Sequence, residues 1–208
     1  MKGKFITLEG CEGVGKSTQL KLLLEYLDKQ NIDYYYTREP GGTEISEKIR
    51  QIILDKDNVE MTPECEALLY ASSRVQLLKE KILPNLQKGK LVICDRYYDS
   101  SFAYQAYARG LGENFVKSVN LYALTNGVPD LTLFLDLPPQ EAFKRKGGAD
   151  LNDRIEASGI EFHNKVYNGY KALQQNEPDR IISVNCSGEK NQTHLNIIKI
   201  LQDKGIIW

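Results

Sequence analysis

The sequence predicts a three-layer α/β fold, with a five-stranded parallel sheet flanked by helices. Three observations lead there. Short apolar, β-branched runs recur along the chain, longer segments of helical periodicity separate them, and a glycine-rich turn follows the first run directly. Strands that alternate with helices pair in parallel and are covered on both faces.

The elements follow in chain order. "KFITLE" is a buried-strand segment, and "STQLKLLLEYLDKQ" after it puts Leu20, Leu23, Leu24 and Leu27 on one helical face. "YYYT" is the second strand, ended by the glycine break in "REPGG", and a helix runs on through Ile45, Ile49, Ile52 and Ile53. Thr62 followed by Pro63 supplies an N-cap and a proline at the first helical position. That helical stretch reaches about Gln87, bent or broken near Pro84. "LVICD", "LTLFLDL" and "RIISVN" complete the strands. The least core-like segment, "KRKGGADLNDR" (Lys144 to Arg154), reads as a surface loop or a functional flap. The expected organisation is one domain, 1–208, with a mobile lid at about 144–156.

Composition narrows the function classes. The chain has 208 residues, 41% hydrophobic and 26% charged, with a net charge of −1. A nucleic-acid polymer binder would show a basic excess, so a small anionic ligand is the better expectation. Cys11, Cys65, Cys94 and Cys186 form no CxxC pair, and His163 and His194 are the only histidines, which argues against zinc. Cys94 reads as a reduced core thiol, and Cys11 as a quiet one despite its place before a helix. "MKGKFITLEG" has one short apolar run stopped by Glu9, unlike a signal peptide, and no apolar stretch approaches membrane-spanning length. The expected location is the cytoplasm, with no membrane partner.

Gly10, Gly15, Lys16 and Ser17 in "LEGCEGVGKST" fit G-x-x-x-x-G-K-[ST], between a strand and an amphipathic helix as that motif requires. The glycines let the backbone turn its N–H groups inward, and the helix N-terminus adds partial positive charge. The fold is therefore expected to be of the P-loop nucleoside-triphosphate type. The ATP-binding segment is Gly10, Glu12, Gly13, Val14, Gly15, Lys16, Ser17 and Thr18, with Lys16 reaching the β/γ-phosphates and Ser17 ligating Mg²⁺. A guanine-reading switch is disfavoured, because Asn164-Lys165 continues as Val-Tyr and no D-x-x-G occurs. A motor or transporter ATPase would carry an acid after the third-strand aspartate, where this chain has Arg96. An arginine there suits two phosphates brought together, as a kinase needs. Arg38 and Arg96 at strand ends and Arg74 on the long helix are the further cations, although any single arginine is also a normal solvated surface charge.

In order, "EGCEGVGKST", "REPGGT", "LLYASSR", "CDRYYDSSFAYQAYARG", "PDLTLFLDL" and "DRIE" resemble the thymidylate kinase family, from Glu9 to Glu156. The resemblance implies transfer of the ATP γ-phosphate to dTMP, giving dTDP and ADP, with Mg²⁺ and in a homodimer packed through helices. It implies that Arg38 and Pro40 of "REPGG" and Arg96 hold the acceptor phosphate, and that Asp95 supports Mg²⁺. Tyr70 stands where the family commonly stacks a phenylalanine on thymine, and Arg74, one turn on, would approach a base carbonyl. Ser101 and Gln105 would meet the base edge, and Tyr104 would crowd a 2′-hydroxyl; core packing is the other reading of Tyr70 and Tyr104. Glu12 would turn away from ATP toward the acceptor's 3′-hydroxyl, or else face solvent. Gly13 takes the place of an arginine that some members carry, so lid cations are expected to serve ATP: Arg145 and Arg154 first, Lys144 and Lys146 less so. Gly147 and Gly148 suit a flap hinge. A related kinase with another acceptor, such as a deoxynucleoside, is the nearest rival.

Overall fold

Strand β1, Phe5–Glu9, is buried at every position and forms the centre of the sheet. It pairs in parallel with β3, Leu91–Asp95, on one side and with β4, Leu131–Asp136, on the other. Edge strands β2, Tyr34–Arg38, and β5, Ile181–Asn185, complete the order β2-β3-β1-β4-β5. The three inner strands are near-continuous apolar runs because helices cover both of their faces. The computed structural model describes residues 3–147 and 154–208, apart from the side chains of Lys146 and Glu156. The centre of the expected lid, including Gly148, lies outside the described residues.

Helix α1, Lys16–Lys29, buries Leu20, Leu23 and Leu27. Helix α2, Glu44–Leu54, is capped by Thr43, whose Oγ1 accepts from the Ser46 N–H at 3.1 Å. Its existence agrees with the isoleucine spacing, but its buried face does not: Ile53 is fully buried while Ile45 and Ile52 are exposed. The helix turns Ser46 inward as well, where the Ser46 hydroxyl donates to the Ser73 carbonyl of the neighbouring α3, Pro63–Leu77.

Thr62 caps α3 and Pro63 begins it, as the sequence predicts. The helix does not stop at Pro84. It widens into a π turn, Leu78–Ile82, and continues as α4, Leu83–Gln87. Proline lacks an N–H and its ring collides with the carbonyl four residues back, so the wider turn lets the rod continue. After β3, the short α5, Tyr98–Ser101, runs into a second π turn, Phe102–Ala108. Helices α6, Glu113–Val119, and α7, Leu121–Asn126, lead into β4. Then come α8, Pro139–Lys146, α9, Gly159–Asn176, and, after β5, α10, Lys190–Asp203. Helix α9 packs along the second π turn, where Gly169 lets the Tyr107 ring approach.

Candidate active site

The carboxyl ends of β1, β2 and β3 open on one cavity of about 450 Å³. One wall is the glycine loop. Gly15 sits in the left-handed region (φ 97°) and α1 starts directly after it with no side-chain cap, so the first amides of the helix remain available to an anion. Gly13 is also left-handed (φ 77°), and a Cβ there would lie 2.7 Å from the Ala142 carbonyl oxygen. A side chain at this position has nowhere to go, which accounts physically for glycine in place of arginine. Gly13→Ala is expected to destabilise the fold by about 1–2 kcal/mol from backbone strain alone, and to weaken ATP binding, as urea unfolding and ATP titration would measure.

Lys16 lies folded back on this loop, its Nζ donating to the Gly10 and Cys11 carbonyls at 3.3 and 3.4 Å. Burial holds its pKa below the usual lysine range, with Arg96 adding to the effect. Gly13, Gly15, Ser17 and Thr18 line the same wall, whereas the Val14 side chain is in the core and Gly10 lies behind the loop. Cys11 is buried too, and burial pushes its thiol up to about 12, so no helix-end activation survives.

The opposite wall carries Arg38, Arg96, Tyr70 and Tyr104. Arg38 donates to the Pro40 carbonyl at 2.8 Å and pairs with Glu47 at 3.1 Å, which fixes its guanidinium at the mouth of β2. Arg96 adopts a left-handed backbone (φ 66°), a strained state for a side-chain-bearing residue. Its guanidinium donates to the Gly10 carbonyl at 3.0 Å and lies 5.3 Å from the Tyr104 ring centre. Glu12 stands 3.8 Å from Arg96 and lines the cavity, turned toward this wall. Tyr104 is both things its sequence position allowed: it packs edge-on against Phe162 and Tyr170 and also faces the cavity. Tyr70 is half-buried on the same wall.

Arg74 sits deeper than its helical spacing suggests: it lines the cavity but is buried, and four hydrogen bonds tie its guanidinium to protein. Nε donates to Glu39 Oε2 at 2.7 Å, and one terminal nitrogen donates to Ser101 Oγ and to Asn120 Oδ1 at 2.9 and 2.5 Å. The other donates to the Tyr97 carbonyl at 3.2 Å and meets Glu39 Oε2 at 2.6 Å. Through its bond to Ser101, Arg74 braces the pocket wall from behind as well as lining the cavity. A helical spacing of four showed that Tyr70 and Arg74 share a face, but not how deep Arg74 sits.

Arg154 lies on another face. It does not line the cavity; it donates to the Ile53 carbonyl at 3.0 Å and to Glu66 Oε2 at 2.7 Å, beside α2 and α3. Arg145 does line the cavity, its guanidinium held by the Cys186 and Ser187 carbonyls, each at 2.6 Å, beyond β5. Those partners, supplied by the loop after the last strand, could not be read from a charged lid segment.

The sequence reading also passed over the carboxylates behind the site. Glu9, fully buried, accepts from the Tyr97 N–H, the Ser100 hydroxyl and the Tyr170 hydroxyl at 2.6–2.8 Å. Burial raises its pKa to about 7, with Asp99 adding, against the pull of Arg96 and of the Ser100 and Tyr170 hydrogen bonds. The folded chain therefore holds this proton more tightly than the unfolded chain, whose pKa is near 4.5. Stability is expected to fall as pH rises from about 4.5 to about 7, by up to about 3 kcal/mol from this group. Urea unfolding of wild type and Glu9→Gln across that range would show it as a shallower slope in the variant. Burial likewise raises Glu39 to about 7, against the attraction of Arg74. Glu66, on the α3 face of Tyr70 and Arg74, could have been found by the same four-residue spacing.

Asp95 and Ser17 both line the cavity, and Asp95 Oδ1 is buried with no partner among the described residues. An unsatisfied carboxylate oxygen across from a serine hydroxyl fits Mg²⁺, which takes few protein ligands and completes its shell with phosphate and water. Among the described residues there is no cluster of three His, Cys, Asp or Glu side chains suited to a metal.

With the glycine loop and the arginine-bearing wall sharing one cavity, comparison with known proteins decides the family. The family model described as thymidylate kinase matches residues 8–197. The chain belongs to the thymidylate kinase family. It is 48% identical over 203 residues to a protein named thymidylate kinase from Caldanaerobacter subterraneus subsp. tengcongensis, covering 98% of this chain and 97% of the relative. The same name is carried by a Clostridium novyi relative, 49% identical over 188 residues (89% and 92% of the two chains), and by a Bacillus velezensis relative, 41% identical over 205 residues (98% and 97%). The Glu12–Arg96 pair lies between the glycine-loop wall and the wall that carries Arg38, Tyr70 and Gln105. Among the described residues no helix is long and apolar enough to cross a membrane.

Proposed function

We propose that the chain transfers the γ-phosphoryl group of ATP to dTMP, giving dTDP and ADP for nucleotide biosynthesis. The observation that carries the reading is the two-sided cavity: Lys16, Ser17 and Thr18 on one wall, Arg38, Tyr70 and Gln105 on the other, with Arg96 between. In this reading the loop amides and Lys16 hold the donor phosphates. Arg38 and Arg96 draw the acceptor phosphate toward them, Glu12 accepts from the acceptor's 3′-hydroxyl, and Tyr70 stacks on the base. Asp95 and Ser17 would hold Mg²⁺, which neutralises charge on the transferred group. No protein nucleophile is needed, because positioning and charge stabilisation supply the catalysis.

Arg145 serves the donor side in this account, and the lid at about 144–156 belongs to a single kinase domain, 1–208. A cytoplasmic homodimer is part of the same proposal. Exposed Ile45 and Ile52 on α2 and Leu68 on α3 are apolar side chains that helix-to-helix packing would cover. Sedimentation should then show twice the 23.6 kDa chain mass.

A coupled assay of ADP formation tests the function, with ATP and each of dTMP, dUMP, thymidine and dCMP. The expected order puts dTMP first. Best turnover with thymidine would make the chain a deoxynucleoside kinase, and hydrolysis indifferent to any acceptor would make it an ATPase; either result overturns the proposal.

A further inference from the structure

Glu66 is a carboxylate with 1% exposure, and none of the steps above uses it. Its partners come from three separate segments. Oε1 accepts from Gln105 Nε2 at 2.9 Å and from Arg109 Nε at 3.3 Å. Oε2 accepts from Arg109 and Arg154 terminal nitrogens at 3.1 and 2.7 Å. Two guanidinium groups balance the charge, and an ionised carboxylate accepts hydrogen bonds without donating any. The Gln105 side chain therefore has one favourable orientation. Its NH₂ faces Glu66, since turning the amide over would set oxygen against oxygen in a buried site.

This fixes what the cavity meets. Gln105 lines it with its Nε2 engaged by Glu66, so the atom it offers to a ligand is the Oε1 acceptor. Ser101, one turn earlier in the same helical run, already accepts from Arg74 at 2.9 Å and has its own O–H left to donate. The wall thus presents an acceptor beside a donor. A thymine or uracil edge, with ring N–H next to a carbonyl, matches both positions. A cytosine edge sets its bare ring nitrogen against the Gln105 oxygen, acceptor against acceptor, whereas the Ser101 hydroxyl can adapt to its amino group.

We propose that Glu66 is a positioning residue for acceptor choice: by fixing the Gln105 amide, it makes the pocket accept a pyrimidine imide edge and reject an aminopyrimidine. The inference rests on the dTMP reading above, and extends it to a residue outside the cavity. The loss from a mismatched buried pair is large because both partners have already given up water.

The test is Glu66→Gln, assayed for kcat and KM with dTMP and dCMP at saturating ATP. A glutamine here can turn its own NH₂ toward Gln105 and release the amide to flip. The expected result is a dTMP KM raised about tenfold, with the dTMP-to-dCMP ratio of kcat/KM reduced about tenfold or more. The KM for ATP should stay within about twofold. In a Gln105→Met background the same substitution should leave the ratio unchanged, because Glu66 acts through Gln105. An unchanged ratio in Glu66→Gln, an equal loss for both acceptors, or independent effects in the double variant would overturn the proposal. If the wild type shows no turnover of dTMP, the proposed function fails instead. Should Glu66→Gln not fold, the wild-type chain decides: with ¹⁵N-labelled glutamine, the Gln105 NH₂ protons should exchange slowly with solvent. Fast exchange of that signal, assigned by its loss in Gln105→Met, would overturn the assignment.

Discussion

Lys16→Met is expected to lower kcat about a thousandfold while leaving the KM for dTMP within about threefold. The lysine is the cation that the glycine loop itself carries, and its Nζ is parked on two carbonyls that a triphosphate would outbid as a partner. Methionine keeps the apolar stem and deletes the charge, so the fold has little to lose. In burial Lys16 is already penalised for being charged, and removing that charge should leave stability unchanged or slightly raised. Stopped-flow single turnover separates the chemical step from binding, and a kcat within tenfold of wild type would remove Lys16 from the transition state.

The second large effect is one of stability. Arg74→Ala is expected to cost about 3–5 kcal/mol, because it strips a buried carboxyl of its only cation. Glu39 is 4% exposed, its Oε2 accepts from Arg74 Nε and pairs with a terminal nitrogen, and its Oε1 has no partner among the described residues. The remedy follows from the same reasoning. Glu39→Gln in the Arg74→Ala background should recover part of the loss, since an amide without a counter-ion costs less than a carboxylate. Urea unfolding of wild type, the single variant and the double variant measures both effects; a double variant no more stable than Arg74→Ala would contradict the account. Catalytically, Arg74→Ala should impair dTMP use far more than ATP binding, now because Ser101 loses the bond that orients its hydroxyl.

The parallel sheet and the glycine loop were legible because both are written in local pattern. Strand runs are contiguous, and the loop's residues lie within one turn of each other. The face of α2 was not legible: Ile45, Ile49 and Ile52 make a regular helical row, yet the core takes Ile53 and the polar Ser46, and only the neighbouring α3 decides that. The surroundings of Arg74 and Arg154 were not legible for a related reason. A cation's sequence neighbours say which face it occupies, whereas its role depends on acids brought from elsewhere, here Glu39 and Glu66. The π turn at Phe102–Ala108, which carries Tyr104 and Gln105, has no local signal either, for it contains no proline.

The exits of β1 and β3 are tied to each other at several points. The Arg96 N–H donates to the Leu8 carbonyl, the Arg96 guanidinium to the Gly10 carbonyl, and the Tyr97 N–H to Glu9. Donor loop and phosphate arginine are thus parts of one block at the middle of the sheet, while Tyr70, Ser101 and Gln105 hang from helices beyond it. For an engineer this divides the enzyme into a motor and an exchangeable socket. On the proposed function, the helices that carry Tyr70, Ser101 and Gln105 are the part to redraw for an unnatural nucleotide, since the hydrogen bonds that tie β1 to β3 do not run through them.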